Sequence, residues 1–145
     1  MIVLMRHGEA EPYSEQDSAR PLTEKGREQA KQTGRWLRDQ KLPISHIVAS
    51  PYLRAQQSAQ CVTDSLALDM LAVRDITPGS SEAAAEAALA EHMGALVCFH
   101  QPILGRLLHR WTGQRFSVNT GSCFVLHGDL LAPGWMSLSA QFDPS

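Results

Sequence analysis

The chain has 145 residues, of which 43% are hydrophobic and 19% charged, and its formal net charge is -2 at pH 7. This length and composition predict one globular domain over residues 1–145 and exclude an intrinsically disordered chain. The near-neutral charge balance also argues against nucleic acid or an anionic membrane as a partner, so any anion site must be a local cluster of basic residues.

No targeting segment and no disulfide framework are predicted. The apolar run over residues 1–5 is ended by Arg6-His7, which makes it too short for a signal peptide or a membrane span. The three cysteines are widely spaced and form no Cys-x-x-Cys pair. A reducing compartment fits this pattern, and we expect a cytoplasmic protein.

Hydrophobic periodicity predicts strands and helices that alternate along the chain. Short apolar runs are typical of buried strands, whereas apolar residues three and four positions apart are typical of one helix face. The predicted order is a strand over 2–5, a helix over 24–39, a strand over 46–49, a helix over 51–66, an edge strand over 71–73, a helix over 82–93, a strand over 95–99, a helix over 102–111, and closing strands over 122–126 and 135–138. Thr23 and Ser50 are the predicted N-caps of the first two helices.

This alternation predicts the fold class α/β. Strands joined by helices favour a three-layer α/β/α sandwich around a mainly parallel central sheet. The Pro133-Gly134 turn between the closing strands favours an antiparallel edge.

Three predicted strands end in residues that suit anion chemistry. Arg6-His7 follows the first strand, Ser50 leads to Arg54 after the second, and His100 follows the third core strand. Ligands bind beyond the carboxyl ends of the strands in open α/β sheets. The predicted fold therefore brings these residues to one crevice.

Arg6-His7-Gly8 combines a nucleophile with a cation. An imidazole with a pKa of about 6.5 is a good nucleophile toward phosphorus at neutral pH, and a guanidinium fits phosphate oxygens. The neighbouring positive charge should keep His7 neutral between turnovers. The tripeptide by itself is a weak motif, and an ordinary loop is then the more common interpretation.

Arg54 and His100 have comparable chemistry at the other two strand ends. Arg54 lies in the first turn of a predicted helix, where free backbone N–H groups and the helix dipole favour anions. His100 precedes a helix that starts at Pro102, and a second imidazole there can donate to a phosphoryl oxygen. Taken singly, an exposed arginine and a structural histidine are the ordinary interpretations.

Four segments follow one another in a recognisable order. They are Arg6-His7-Gly8-Glu9, Pro21-Leu22-Thr23 with Gly26 and Gln29-Ala30, Ser50-Pro51 with Arg54-Ala55 and Gln57-Ser58, and Phe99-His100-Gln101-Pro102. Together they resemble the histidine phosphatase superfamily, also called the phosphoglycerate-mutase-like family, over nearly the whole chain. The short length and the segment Arg20-Pro21-Leu22-Thr23 are most similar to the compact SixA-type phosphohistidine phosphatases.

The resemblance implies a phosphatase whose His7 attacks phosphorus, leaving a covalent phosphohistidine that water hydrolyses to inorganic phosphate. Arg6, Arg54 and His100 match the family's phosphate pocket and would hold the phosphoryl oxygens with no metal and no other cofactor. The implied partner is a phosphohistidine-bearing protein, such as a phosphotransfer domain.

The sequence departs from the family pattern at two places. Larger members carry an Asn six residues after the nucleophile, where this chain has Tyr13, and Arg20 is a candidate substitute for that phosphate contact. Their acidic proton donor has no clear counterpart here, since Asp75, Glu82 and Glu86 lie in no recognisable motif. Glu9 fits the pattern and is expected to hydrogen-bond the loop.

Other functions remain open at this point. The nearest is a phosphatase of small phosphate monoesters on the same scaffold, whereas a mutase would need a more enclosed site. A different class is a non-catalytic phosphate- or phosphoprotein-binding module, against which the presence of both His7 and His100 argues. A metal-dependent hydrolase lacks the required spacing of carboxylates and histidines. The remaining histidines are interpreted as surface or structural residues: His46, His92, His109 and His127.

Overall fold

A computed structural model describes all of residues 1–145, and a six-stranded sheet forms its centre. The strands are β1 (Ile2–Arg6), β2 (Ile47–Ala49), β3 (Met70–Ala72), β4 (Leu96–Phe99), β5 (Cys123–His127) and β6 (Ser137–Phe142). The helices are α1 (Glu24–Gln40), α2 (Leu53–Leu66), α3 (Glu82–Ala90) and α4 (Ile103–Thr112). None of these helices is both long and apolar enough to span a membrane.

The sheet has the order β3-β2-β4-β1-β5-β6. The first four strands in this order are parallel, and β1 lies beside β4 with Val3 opposite Leu96. β5 runs antiparallel to β1, with Leu4 opposite Phe124, and β6 pairs antiparallel with β5 at the edge. The predicted parallel sheet with an antiparallel edge is confirmed.

The helices cover the two faces of the sheet. Successive side chains of a strand point to opposite faces, so Leu4 packs with Leu89 of α3 and Leu107 of α4, whereas Val3 packs on the other face with Leu37 of α1. α2 lies beside α1 on that second face. The molecule is the predicted three-layer α/β/α sandwich.

α4 shows how the apolar pattern fixes a layer. Leu104, Leu107, Leu108 and Trp111 recur at helical spacing, and all four are fully buried against the sheet. Burying one such side chain stabilises the fold by about 1.5–3 kcal/mol. Gly113 ends the helix in the left-handed conformation, at φ 76°.

The predicted N-cap of α2 is wrong. α2 begins at Leu53 and its N-cap residue is Tyr52, so Ser50-Pro51 form a turn before the helix. The Ser50 hydroxyl oxygen accepts a hydrogen bond from the Tyr52 N–H, at 3.2 Å, and lies 2.7 Å from His100 Nε2. The second of these contacts joins residues 50 positions apart, so the local sequence does not reveal it.

Two other elements differ from the prediction by more than one residue at an end. α3 ends at Ala90 rather than Met93, and the chain then turns through Gly94 at φ 91°. β6 begins at Ser137 and continues to Phe142. Residues along β6 are alternately exposed and half-buried, which gives a weaker apolar signal than a buried strand.

Candidate active site

The carboxyl ends of β1, β2 and β4 meet at one crevice, and the rings of His7 and His100 lie there 5.1 Å apart, measured between centroids. The His7 N–H donates to the Phe99 carbonyl at 3.1 Å, which ties the end of β1 to the end of β4. The Gly121 N–H donates to the His7 carbonyl at 3.0 Å. The loop before β5 therefore closes this part of the crevice from the other side.

His7 is held as a neutral imidazole. It is 7% exposed, and burial lowers its pKa to about 4. The hydrogen bond to Gly8 raises the pKa, whereas the charges of Arg54, Arg6 and Arg20 lower it further. Its Nδ1 lies 2.6 Å from the Gly8 carbonyl oxygen. A carbonyl only accepts, so Nδ1 carries the proton and Nε2 carries the lone pair.

Arg54 is the second residue of α2 and is 3% exposed. Its Nη1 donates to the Asp17 carbonyl at 2.8 Å, and its Nη2 lies 3.2 Å from Asp17 Oδ2. The guanidinium carbon also lies 5.0 Å from the centre of the Tyr52 ring, within cation–π range. These contacts fix the guanidinium plane.

Arg6 reaches the crevice from the last position of β1. Its Nη1 donates to the Val118 carbonyl at 3.1 Å, in the loop before β5. Burial, and then the nearby charge of Arg54, lowers the pKa of Arg6, which still leaves a guanidinium that is charged at neutral pH. Arg6 and Arg54 therefore both place a positive charge near His7 between turnovers.

His100 is 1% exposed and neutral. Burial lowers its pKa to about 2, and the neighbouring His7 and Arg54 add to the lowering. The edge of the Tyr52 ring packs against His100, with 5.1 Å between ring centroids. A Ser50 hydroxyl that accepts from the Tyr52 N–H and donates to His100 Nε2 uses its proton as well as its oxygen, and we assign the ring proton of His100 to Nδ1 on that basis.

Three buried side-chain nitrogens have no hydrogen-bond partner, and all belong to these residues: Arg6 Nε, Arg54 Nε and His100 Nδ1. A buried donor without a partner costs about 1–3 kcal/mol, so such groups are rare in proteins. Their grouping around one neutral imidazole describes a preformed site for an anion with several oxygens.

Backbone and side-chain contacts support the loop that follows His7. The Gly8 N–H donates to Ser58 Oγ at 2.9 Å, and the Glu9 N–H donates to Gln29 Oε1 at 2.8 Å. The Thr23 hydroxyl donates to Glu9 Oε2 at 2.9 Å, in agreement with the expected loop role of Glu9. The amide and hydroxyl residues of the sequence motif thus act as loop supports.

Asp17 is the one carboxylate that contacts the cluster. It lies in a short 3-10 helix, Asp17–Ala19, and binds Arg20 Nε through Oδ1 at 2.9 Å as well as Arg54 through Oδ2. The hydrogen bonds from Arg54 and Arg20 outweigh partial burial and lower the pKa of Asp17. Arg20 is therefore joined to Arg54 through Asp17, and its Nη1 also donates to the Glu11 carbonyl.

The other residues discussed from the sequence lie apart from the cluster. Tyr13 is 88% exposed, and Asp75 is exposed in a second 3-10 helix. Glu86 binds Arg110 and the Trp111 indole on the surface of the α3/α4 layer. His46 and His92 bond to each other, at 2.9 Å. No group of three or more His, Cys, Asp or Glu has the geometry of a metal site.

Sequence reasoning missed Asp17 and the roles of Ser50 and Tyr52. Asp17 stands in a polar loop with three other carboxylates, Glu9, Glu11 and Glu15, and no local pattern distinguishes it. Ser50 was interpreted as a helix cap. Tyr52 had one usable signal, an aromatic residue two positions before the predicted phosphate-binding Arg54.

An α/β sandwich with a buried histidine pair and clustered guanidinium groups at the strand ends defines a class of anion-binding sites, and comparison with known proteins identifies the family. Residues 2–77 match the histidine phosphatase superfamily (branch 1). The chain is 35% identical over 114 residues to the phosphohistidine phosphatase SixA of Escherichia coli, covering 74% of this chain and 71% of that protein. It is 28% identical to the SixA homolog of Haemophilus influenzae over 128 residues, covering 79% and 78% of the two chains.

A solved structure of the protein histidine phosphatase SixA complexed with tungstate superposes with a TM-score of 0.89 at 28% identity, over 99% of this chain and 96% of that one. The chain belongs to the histidine phosphatase superfamily. The resemblance stated from the sequence is confirmed.

Proposed function

We propose that this protein is a metal-independent phosphatase that forms a covalent phosphohistidine at His7 and acts on phosphohistidine carried by other proteins. The observation that carries the proposal is the set of three unpartnered buried donors, Arg6 Nε, Arg54 Nε and His100 Nδ1, beside a neutral imidazole. Such fixed donors stabilise the charge of a phosphoryl group in transfer, which is the task a metal ion performs elsewhere.

In the first step the lone pair on His7 Nε2 attacks phosphorus, and the bond from phosphorus to the leaving nitrogen breaks. The leaving imidazole takes that electron pair and departs as a neutral ring when its other nitrogen carries a proton. The Gly8 carbonyl keeps His7 Nδ1 protonated and so stabilises the positive charge that develops on the ring. The two guanidinium groups and His100 hold the three equatorial oxygens.

In the second step water attacks the phosphorus of phosphorylated His7. The N–P bond breaks, its electron pair returns to Nε2, and inorganic phosphate leaves. The ring of the phosphorylated intermediate is positively charged, so the imidazole becomes neutral when the N–P bond breaks. A neutral imidazole is a good leaving group. Arg20, joined to Asp17 at the rim, would contact the phosphate in place of the residue that larger family members use.

The relatives support this assignment. The Escherichia coli protein of 35% identity is named a phosphohistidine phosphatase, and the superposed SixA structure was solved with tungstate, a phosphate-like oxyanion. We also propose that the chain acts as one domain in the cytoplasm. Its three cysteines, Cys61, Cys98 and Cys123, are all free and buried, as suits a reducing compartment.

The test uses a histidine phosphorylated in a peptide as substrate. Wild-type protein, quenched during turnover, should carry phosphate that is stable in alkali and lost in acid, and EDTA should leave the rate unchanged. His7→Ala should abolish both turnover and labelling, and Arg54→Ala should lower the rate by about two to four orders of magnitude, as for loss of a transition-state donor.

His127→Ala is the matched control, because His127 is exposed at the far end of β5 from the crevice and its loss should change nothing. Full turnover by His7→Ala, an acid-stable adduct, or activity that EDTA removes and zinc restores would overturn the proposal.

A further inference from the structure

A cavity of about 570 Å³ lies along α4 and takes no part in the steps above. Gly105, Arg106 and His109 of α4 line it, together with Gln101 from the turn before the helix and Arg115 and Phe116 from the loop after it. We call this cavity the α4 groove. Residues 105, 106 and 109 lie on one side of the helix because they fall within about one helical turn.

The floor of the α4 groove depends on a missing side chain. Gly105 donates its N–H to Gln101 Oε1 at 2.7 Å, and a Cβ at this position would lie only 3.0 Å from that oxygen. The folded-back Gln101 side chain therefore packs closely against Gly105. On the far side, Phe116 packs against Phe124 of the core with ring centroids 5.8 Å apart, which anchors that wall.

The α4 groove carries uncompensated positive charge. Arg106 and Arg115 are exposed and form no ion pair, whereas Arg110 of the same helix is bound by Glu86 at 2.7 Å. Glu82 is the one carboxylate in the lining, and its charge also acts on Arg110.

Both walls of the α4 groove continue along the chain into residues of the catalytic crevice. Gln101 directly follows His100, and Phe116 lies two residues before Val118, whose carbonyl accepts from Arg6. The opposite rim is the loop over 8–22, on the α1/α2 side, with four carboxylates and one guanidinium group. The crevice therefore lies between an acidic rim and a basic groove, although the net charge of the whole chain is only -2.

We propose that the α4 groove binds an acidic segment that flanks the phosphohistidine of the protein substrate. This inference rests on the proposed function and names the kind of surface that the substrate presents. From Ile103 to His109 the helix rises about 9 Å, the length of about three residues of extended chain. The basic groove attracts an acidic segment and the acidic loop over 8–22 repels it. The two surfaces together therefore speed association and orient the partner.

The experiment compares three phosphoramidate probes: phosphoimidazole, a phosphohistidine peptide flanked by glutamates, and the same peptide flanked by lysines. Wild type should turn over the glutamate peptide about three- to tenfold more efficiently in kcat/KM than the lysine peptide, as two exposed charge pairs allow. The preference should shrink at high salt. Arg106→Glu combined with Arg115→Glu should abolish or reverse it, with kcat for phosphoimidazole unchanged.

The control combines Arg35→Glu with Arg38→Glu, the same change of charge on α1, roughly 20 Å along that helix from its site-facing end at Thr23. It should keep the wild-type preference. If wild type hydrolyses phosphoimidazole but treats the two peptides alike, prefers lysine, or keeps its preference in the groove variant, the groove proposal is overturned and the proposed function stands. If phosphoimidazole itself is not hydrolysed, the proposed function fails.

Discussion

His7 keeps its nucleophilic lone pair beside Arg6 and Arg54 because burial and positive charge both disfavour the imidazolium form. The same burial leaves His100 neutral, so the second histidine contributes a donor and no charge. In the proposed reaction the positive charge that binds phosphate comes from the guanidinium groups, which cannot lose it, while the two imidazoles supply a lone pair and a proton.

Asp17 completes the site without becoming a proton donor. Its carboxylate binds both Arg54 and Arg20, and these hydrogen bonds lower its pKa. A carboxylate held in its charged form accepts hydrogen bonds and has no proton to give at neutral pH. We infer that Asp17 is a positioning residue for the two arginines.

The absence of a positioned acid leads to a prediction about leaving groups. Expelling an alkoxide without proton transfer forfeits about 10²–10⁴ in rate, whereas an imidazole leaves without such help. Values of kcat/KM should therefore be high for phosphohistidine, measurable for p-nitrophenyl phosphate and poor for phosphoserine and phosphoglycerate, with log kcat/KM falling steeply as leaving-group pKa rises. Asp17→Asn should lower these rates and leave their order intact. A flat plot, or a preference for phosphoglycerate, would reveal an acid and favour a phosphatase of small esters.

At this scale the sequence predicted much of the site. His7, Arg6, Arg54 and His100 could be placed together because each follows the carboxyl end of a predicted strand, and the structure brings all four to one crevice. The partners Asp17 and Ser50 could not be predicted, because their contacts join residues 37 and 50 positions apart and exist only after folding.

At the scale of the elements, the loop that follows β1 and holds His7 contacts the first turn of α1. A Cβ on Gly8 would lie 2.2 Å from the Gly26 carbonyl oxygen, and one on Gly26 would lie 2.0 Å from the Glu9 carbonyl oxygen. Gly26 is in the first turn of α1, capped by the Thr23 hydroxyl at 3.0 Å. The two backbones touch because both positions lack a side chain.

Gly26→Ala tests this contact. Alanine is the better helix former by about 1 kcal/mol, so local propensity alone predicts a more stable protein. The backbone clash instead predicts a loss of about 1–3 kcal/mol in unfolding free energy, together with at least a tenfold loss of kcat/KM as the loop holding His7 shifts. Urea unfolding and steady-state kinetics measure the two effects. Gly79→Ala is the control, since a Cβ there meets nothing within 4 Å, and a stabilised, fully active Gly26→Ala would contradict the proposed close packing.

The elements were predicted better in their interiors than at their ends. The apolar stripe of α1 and its Thr23 cap lie where the sequence predicts them, because cap and stripe are local features. α2 begins three residues after its predicted cap, since Ser50 is engaged by His100. A boundary decided by tertiary contacts carries no local signal.

Considered as a whole, the molecule forms five ion pairs, and two of them, both through Asp17, lie at the crevice. Exposed ion pairs elsewhere, such as Arg35 with Glu28 and Arg38 with Asp39, are each worth at most about 1 kcal/mol. Stability therefore rests on the two apolar layers. The pKa values of the buried histidines of the site are strongly lowered.

These histidines should make the whole protein sensitive to mild acid. The folded-state pKa of His7 is about 4 and that of His100 about 2, against an ordinary value of 6.5. Below pH 6.5 these histidines bind protons in the unfolded chain but not in the folded chain. The free energy of unfolding is therefore highest above pH 6.5 and falls as the pH drops toward 4. Between pH 7 and pH 5 each histidine should cost about 2 kcal/mol of unfolding free energy.

Urea unfolding of wild type at pH 7 and pH 5 should therefore show a loss of about 4 kcal/mol, and the carboxylates contribute little in this window because their ordinary pKa values lie near 4. His7→Gln and His100→Gln should each remove about half of the loss, since a glutamine binds no proton in either state. The exposed His127→Gln leaves both buried rings in place and should retain the full wild-type loss. Equal stability of wild type at the two pH values would show that the histidines titrate normally, and that burial does not hold His7 in its nucleophilic form.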